Sequence, residues 1–153
     1  CVGGGVLVLQ RGTPGGGEVF LGFPAHCTSI STNSTSVMRG AGCVLPGGGA
    51  VHGNKLYVLG GFQINVNMVA AIWEYDPAAA PGTRWQLFAA ALPTPLGYVP
   101  AAATSTEIFA LGGSSWDGVT LVDSTSASRV DPVGGTVTPV ASVPRATGET
   151  SSC

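Results

Sequence analysis

The sequence is poor in charged residues. Only 9% of its 153 residues are Asp, Glu, Lys or Arg, and the net charge is about −2 at neutral pH. Nucleic-acid binding depends on clusters of Lys and Arg that meet phosphate groups. No such cluster occurs, and we therefore expect no nucleic-acid partner.

Long apolar runs are also missing. A helix that crosses a bilayer needs about 20 consecutive apolar residues, and the longest apolar runs here, at 68–73 and 88–92, are far shorter. We expect no membrane span. Apolar residues do not recur at helical spacing between capping residues either, so the sequence does not predict helices.

Residue patterns typical of catalytic and metal sites are scarce. His26 and His52 have no acidic neighbour at a useful spacing, and there is no Gly-x-Ser-x-Gly nucleophile motif. The four cysteines include no Cys-x-x-Cys pair that would indicate zinc. The sequence therefore predicts no catalytic residue, no metal and no cofactor.

Glycine and proline are abundant instead, with 24 and 11 residues. Short β-favouring runs alternate with Gly, Pro, Asn and Asp, a pattern that indicates strands and turns. Two runs are alike: "KLYVLGG" at 55–61 and "EIFALGG" at 107–113. Each is followed by a loop, by a strand that ends in Asp-Pro (at 76–77 and 131–132), by another strand and by an apolar residue with Pro. A degenerate copy begins with "VLVLQR" at 6–11.

These copies divide the chain into three units of about 50 residues, approximately 1–46, 47–93 and 94–144, and 145–153 would start a further one. Units of this length with about four short strands each are typical of propeller blades. One blade cannot bury both faces of its sheet, so neighbouring blades must cover them.

The middle unit resembles the kelch repeat, in which an apolar strand ends in Gly-Gly and is followed by a Tyr and a Trp. The matching residues are Gly60, Gly61, Tyr75 and Trp85. The resemblance implies an all-β fold of kelch-like β-propeller blades, about three blades of four short antiparallel strands. It further implies an incomplete ring, or half of a larger or assembled propeller.

The last unit keeps Gly112 and Gly113 but has no Trp, and the first keeps only the strand rhythm. We expect these glycines, like Gly60 and Gly61, to adopt positive φ and to let strands pack closely. Tyr75 and Trp85 are predicted to pack between blades. Asp117-Gly118 and "PGGGE" at 14–18 are predicted to be hairpin turns.

Four cysteines in a chain with little charge favour an oxidising, extracellular compartment. Cys27 and Cys43 bracket a Ser/Thr-rich segment, predicted to be a polar loop that these two residues could close as a disulfide. Asn33-Ser34-Thr35 within it is an N-glycosylation sequon. We expect the protein to be secreted, and Asn33 is then the candidate glycosylation site; the alternative is a plain polar loop.

Three blades do not close a ring. The C-terminal residues of one copy would complete the blade that the N-terminal residues of another begin, which would place Cys153 of one copy beside Cys1 of the next. Two copies would then form a six-bladed ring, or many copies a filament. The alternative is that these residues are a fragment of a longer propeller.

The expected function is that of a non-catalytic extracellular module, binding or structural, whose partners are proteins, including a second copy of the chain, and glycans. The alternative is a fragment of a glycan-active propeller enzyme or of a copper-radical enzyme that resembles galactose oxidase. The ligand types of such an oxidase occur here as His52, Tyr57, Tyr75 and Tyr98.

Overall fold

The computed structural model describes residues 7–9, 19–23, 26–30, 48–62, 68–80 and 82–148. The regular structure in these ranges is all β, and the strands pair antiparallel in separate sheets, none of which closes on itself. The prediction of an all-β antiparallel fold is confirmed to this extent. The described ranges contain no helix that could cross a membrane.

Two sheets precede residue 90. The N-terminal sheet has the order β1-β2-β3, and its strands are β1 (Leu7–Leu9), β2 (Val19–Phe23) and β3 (His26–Ile30). The middle sheet has the order β4-β5-β6-β7, and its strands are β4 (Gly48–His52), β5 (Lys55–Phe62), β6 (Met68–Tyr75) and β7 (Trp85–Leu87). Strands that follow each other in the chain are therefore neighbours in the sheet.

The C-terminal sheet has the order β8-β9-β12-β13, and its strands are β8 (Ala101–Ala103), β9 (Ile108–Leu111), β12 (Ala127–Asp131) and β13 (Thr136–Val140). A separate two-stranded hairpin, β10 (Ser114–Trp116) and β11 (Leu121–Asp123), interrupts it between β9 and β12. The three sheets lie within the units predicted at 1–46, 47–93 and 94–144. The division of the chain into blades stays a prediction.

The main core lies between the middle and C-terminal sheets. Tyr57, Leu59 and Ile72 face it from the middle sheet, and Ile108 and Val130 face it from the C-terminal sheet. The segment 88–96, which leaves β7, contributes further apolar residues, namely Phe88, Leu92 and Leu96. Each fully buried aliphatic side chain stabilises the fold by roughly 1.5–3 kcal/mol relative to exposure, so this shared core holds the two sheets together.

A glycine allows the first strands of these two sheets to approach each other. A Cβ on Gly48 would collide with the carbonyl oxygen of Val99 and would lie 3.2 Å from the Cβ of Ala101 on β8. The sequence did not predict either β4 or β8, because "GGAVH" and "AAA" have low strand propensity. Packing between the sheets overrides that preference.

All four glycines of the repeated pairs have positive φ, as predicted: +61° and +120° at Gly60 and Gly61, and +80° and +110° at Gly112 and Gly113. The expectation that the strand ends at the pair holds for β9 but is wrong for β5, which continues to Phe62. The register with β6 shifts between Leu59 and Gly61, so a bulge absorbs the distortion without ending the strand.

Two short segments, which we call the straps, bind these glycine pairs. The first strap is residues 92–97 and the second is residues 143–148. The Gly61 N–H donates to the Leu96 carbonyl oxygen over 2.8 Å, and the Gly113 N–H donates to the Thr147 carbonyl oxygen over 2.7 Å. The same contact therefore recurs in both units, from residues that begin "LP" and "VP" and end in Gly.

The first strap also reaches the next sheet. Gly97 and Ser114 exchange two backbone hydrogen bonds, each 2.8 Å long. Because Ser114 directly follows Gly113, one strap contacts the glycine pairs of both sheets. This arrangement fixes the path of the chain from the middle sheet to the C-terminal sheet.

Both Asp-Pro corners end a strand as predicted. Asp76 Oδ1 accepts the Ala78 N–H over 2.8 Å, and Asp131 Oδ1 accepts the N–H groups of Val133 and Gly134 over 2.9 and 2.8 Å.

The Ser/Thr-rich segment that begins at Cys27 differs from the expectation of a loop, since its first residues, up to Ile30, form part of β3. Thr28 and Ile30 are β-branched and favour a strand, so the segment is not a loop from its beginning.

We predict that Gly60→Ala destabilises the protein far more than Gly53→Ala. Their φ values are similar, +61° and +56°, but a Cβ at Gly60 would collide with the Leu96 carbonyl oxygen, whereas a Cβ at Gly53 meets no atom within 4 Å. Gly53→Ala should cost about 1 kcal/mol of unfolding free energy, and Gly60→Ala about 2–3 kcal/mol more. Urea unfolding of both variants measures the difference. Equal losses would show that the strap contact is unimportant.

Candidate functional site

The β10–β11 hairpin presents apolar side chains to solvent. Val119 at its tip is 79% exposed, Val122 on β11 is 46% exposed and Trp116 on β10 is 37% exposed. Trp116 and Val122 lie on opposite faces of the hairpin, because Trp116 pairs with Leu121 and Val122 with Ser115. A projecting element with exposed apolar side chains can contact another molecule from either face. The hairpin is therefore the candidate site of the described chain.

A single carboxylate holds the tip of the hairpin. Asp117 Oδ1 accepts the N–H groups of Val119 and Thr120, each over 2.7 Å, and Oδ2 accepts the Thr120 hydroxyl over 3.3 Å. Gly118 supplies the positive φ of +103° that the turn needs. The hydrogen bonds from Thr120 and Val119 stabilise the carboxylate and lower the pKa of Asp117. The predicted turn at Asp117-Gly118 is confirmed.

The base of the hairpin is fixed by both straps. Ser114 is fully buried, and its hydroxyl donates to Asp123 Oδ1 over 3.1 Å. Gly97 of the first strap pairs with Ser114, and Thr147 of the second strap donates its N–H to the Ser124 carbonyl oxygen over 3.1 Å. A hairpin anchored on both sides loses little conformational entropy on binding, which favours affinity.

The ends of the middle and C-terminal sheets that lie opposite the hairpin carry most of the charged residues in the described ranges. His52 Nε2 and the Ser105 carbonyl oxygen are 3.1 Å apart, which links the β4–β5 turn to the β8–β9 turn. Lys55 and Glu74 form an ion pair of 2.6 Å on the middle sheet.

The C-terminal sheet has an ion pair of reversed polarity in the corresponding place, where Glu107 directly precedes β9 and lies 3.2 Å from Arg129 on β12. Both pairs are partly exposed, and such pairs contribute at most about 1 kcal/mol. Each pair links neighbouring strands of its sheet.

Tyr57 lies on the same face of the middle sheet as Glu74 of the Lys55–Glu74 ion pair. Its ring packs edge-on against Phe88 with centroids 6.0 Å apart, and burial together with a hydrogen bond to Glu74 raises the pKa of its phenol well above the ordinary value of 10.0. Glu74 thus joins a buried phenol to the Lys55 ammonium. Tyr57 and Tyr75 lie on opposite faces of the middle sheet, because Tyr57 pairs with Glu74 and Tyr75 with Leu56.

The predicted site residues Tyr75 and Trp85 are neighbours in the middle sheet. Tyr75 and Trp85 pair across β6 and β7, with ring centroids 4.9 Å apart. Their face of the sheet is turned away from the main core, so their predicted role between blades stays a prediction. In the part of the chain that the structure describes, no three His, Cys, Asp or Glu residues are grouped as metal ligands.

The predicted disulfides and glycan lie largely outside the described residues. Asn33, Cys1, Cys43 and Cys153 are outside them, as is the "PGGGE" turn at 14–18. Cys27 is on β3, where its backbone is opposite Gly22. These disulfide and glycosylation assignments stay predictions.

Sequence reasoning did not identify the apolar tip of the hairpin. "SSWDGVT" indicates a turn, and the pairing of β10 with β11 is needed to place Val119 at its exposed end. The straps were also missed. Their shared signal is an apolar residue followed by Pro and, four residues later, Gly, which the two copies repeat at 92–97 and 143–148.

Comparison with known proteins shows a solved structure with a similar fold but does not identify a family for this chain. No family model matches the sequence, and no curated protein matches it. A solved structure, "Structure of YjhT", matches with a TM-score of 0.52 and 18% sequence identity. The match covers 66% of this chain and 28% of the YjhT chain. At this identity it shows a similar fold alone.

We predict that lowering the pH loosens the hairpin tip through Asp117. A lowered pKa means that the carboxylate stabilises the turn fully above the ordinary value of 3.8 and that this contribution is lost as pH falls through the lowered pKa. Hydrogen exchange and amide chemical shifts of Val119 and Thr120 should report the loss. In Asp117→Asn the acid response should disappear there but persist at the separate Asp131 turn. A response unchanged at Val119 would contradict the assignment.

We also predict that Tyr57 does not ionise while the protein is folded. Its raised pKa stabilises the fold below pH 10.0, the ordinary value, and this contribution is lost as pH rises through the raised pKa. Ultraviolet absorbance during an alkaline titration should therefore show a tyrosine ionisation step that coincides with unfolding. Tyr57→Phe should lower the amplitude of that step, and an equal amplitude in both proteins would contradict the prediction.

Proposed function

We propose that the chain is part of a kelch-like β-propeller and acts as a non-catalytic binding module. The observation that carries the proposal is the β10–β11 hairpin, which holds Trp116, Val119 and Val122 in solvent on a base fixed by the two straps. Apolar groups on a rigid support bind with a small entropic cost, and Trp is among the residues enriched at binding hot spots.

The repeated construction of the two larger sheets supports the propeller part of the proposal. Each is a four-stranded antiparallel sheet, their first strands β4 and β8 lie closest together, and a strap caps the glycine pair of each. Blades of a propeller are repeated four-stranded sheets that cover one another's faces. The likeness to the YjhT structure is compatible with this proposal at the level of fold.

The binding partners in this proposal are extracellular proteins or glycans. The hairpin has two carboxylates, Asp117 and Asp123, and no Lys or Arg, so a partner surface that is apolar with a basic edge would complement it. The low charge, the sequon at Asn33 and the four cysteines support secretion.

We predict that hairpin substitutions weaken binding while a matched substitution elsewhere does not. Wild-type protein, Trp116→Ala and Val119→Asp would be applied to glycan arrays and to panels of extracellular proteins. Loss of a buried hot-spot side chain should weaken binding by about tenfold or more. Val133→Asp is the matched control, since Val133 is 90% exposed on the β12–β13 turn.

Two results would contradict the proposal. Equal binding by all four proteins would remove the hairpin from the interface. One copper ion per chain together with oxidation of alcohol substrates would replace the binding role with an oxidase role.

A further inference from the structure

The middle and C-terminal sheets can be compared position by position, because each has a glycine pair at the same place. Counting back from the two pairs, the corresponding residues are Leu59 and Leu111, Tyr57 and Phe109, and Ala50 and Ala102. The strand register supports this correspondence, since each Ala lies opposite the aromatic residue of its own sheet.

These positions are buried in the middle sheet and uncovered in the C-terminal sheet. The three residues of the middle sheet are at most 7% exposed, because the C-terminal sheet packs over them. In the C-terminal sheet, Ala102 is exposed, and Phe109 and Leu111 are half-buried. Phe88 and Val140, which lie beside the third strand of their respective sheets, show the same contrast, with 9% and 37% exposure.

The uncovered residues lie on one face of the C-terminal sheet. Side chains alternate between the two faces of a strand, and Ile108 and Ala110 on β9 belong to the main core, so Phe109 and Leu111 point away from it. We call this second face the outer face, and its apolar residues are Ala102, Phe109, Leu111, Ala127 and Val140. Sheet faces of this composition are normally covered, because exposed apolar area is unfavourable in water.

The contact between the two described sheets shows what kind of surface covers such a face. The C-terminal sheet contributes Ala101 on its first strand, which is small enough to approach Gly48, and the fully buried Ile108 and Val130. The outer face repeats the positions that this surface fits. A sheet with similar facing residues would therefore fit the outer face in the same way.

A charged residue on the outer face is consistent with such a cover. Arg129 lies opposite Phe109, as Glu74 lies opposite Tyr57 in the middle sheet. Glu74 is on a face that the C-terminal sheet covers, and it keeps its ion pair with Lys55. The pair of Arg129 with Glu107 can be kept under a cover in the same manner.

We propose that the outer face is covered by a further four-stranded sheet of the same polypeptide, packed as the C-terminal sheet packs on the middle sheet. The straps support this source of the cover. Gly97 ends the first strap and leads directly to the sheet that covers the middle sheet, and Gly148 ends the second strap at the corresponding place. The inference extends the propeller part of the proposed function and does not depend on the hairpin.

A chain with one added sheet tests the contact. A second copy of residues 98–148 is inserted between Gly148 and Glu149, so that it follows the second strap as residues 98–148 follow the first. Urea unfolding is measured for the original and extended chains and for Leu111→Asp in each.

The effect of Leu111→Asp should depend on whether a sheet follows. In the extended chain it should lower the urea midpoint at least about twice as much as in the original chain, because the added sheet would bury the charge. The matched control is the same substitution in the inserted copy, whose own outer face has no following sheet. It should have only the smaller effect.

Dye binding checks the outer face in the original chain. Anilinonaphthalene sulfonate fluoresces on exposed apolar surfaces, so the original chain should enhance its emission and the added sheet should reduce that emission. Leu111→Asp should also reduce it. Val133→Asp should not, because Val133 is exposed on the β12–β13 turn, away from the outer face.

Four results would overturn the inference. They are equal effects of the substitution in the two copies, an extended chain that does not fold, dye emission unchanged by the added sheet, and association of the original chain that Leu111→Asp abolishes. The last result would make a second copy the cover. All four would leave binding by the hairpin standing, because Trp116→Ala tests it separately.

Discussion

The fold depends on one hydrogen bond that occurs twice, from the N–H of a positive-φ glycine to the carbonyl oxygen of a strap. Gly61 and Gly113 are buried, and a buried N–H without a partner is costly. Leu96 and Thr147 supply the acceptors. The neighbouring Gly60 and Gly112 make the approach possible, because any Cβ at either position would overlap the strap. The path between successive sheets is therefore set by backbone atoms.

The candidate binding surface depends on the same contact. The chain turns from Gly113 directly into Ser114, the first residue of the hairpin, and Ser114 is clamped by Gly97 of the first strap. The residue after the hairpin, Ser124, pairs with the second strap. A change at a strap should thus reach the exposed tip through two backbone bridges, so that the stability of the straps and the position of the tip are coupled.

Local patterns in the sequence were sufficient to predict the features that local chemistry controls. The strands at "LYVLGG" and "IFAL", the positive φ of the glycine pairs and the turn at Asp117 all follow from residue preferences within a few positions. β4 and β8 were missed because their Gly- and Ala-rich sequences form strands only when the two sheets meet at Gly48 and Ala101. The exposed tip at Val119 was missed for a related reason, since exposure depends on which residues lie opposite each other.

The middle and C-terminal sheets share the same types of contact, although different residues make them. Leu96 and Thr147 differ in size and polarity, yet each presents a carbonyl oxygen to a glycine N–H. The ion pairs Lys55–Glu74 and Arg129–Glu107 exchange the signs of their charges and still join corresponding strands. When backbone atoms and interchangeable pairs hold a fold, side chains can change widely without altering it. A similar fold at 18% identity to the YjhT structure is the outcome expected from such an architecture.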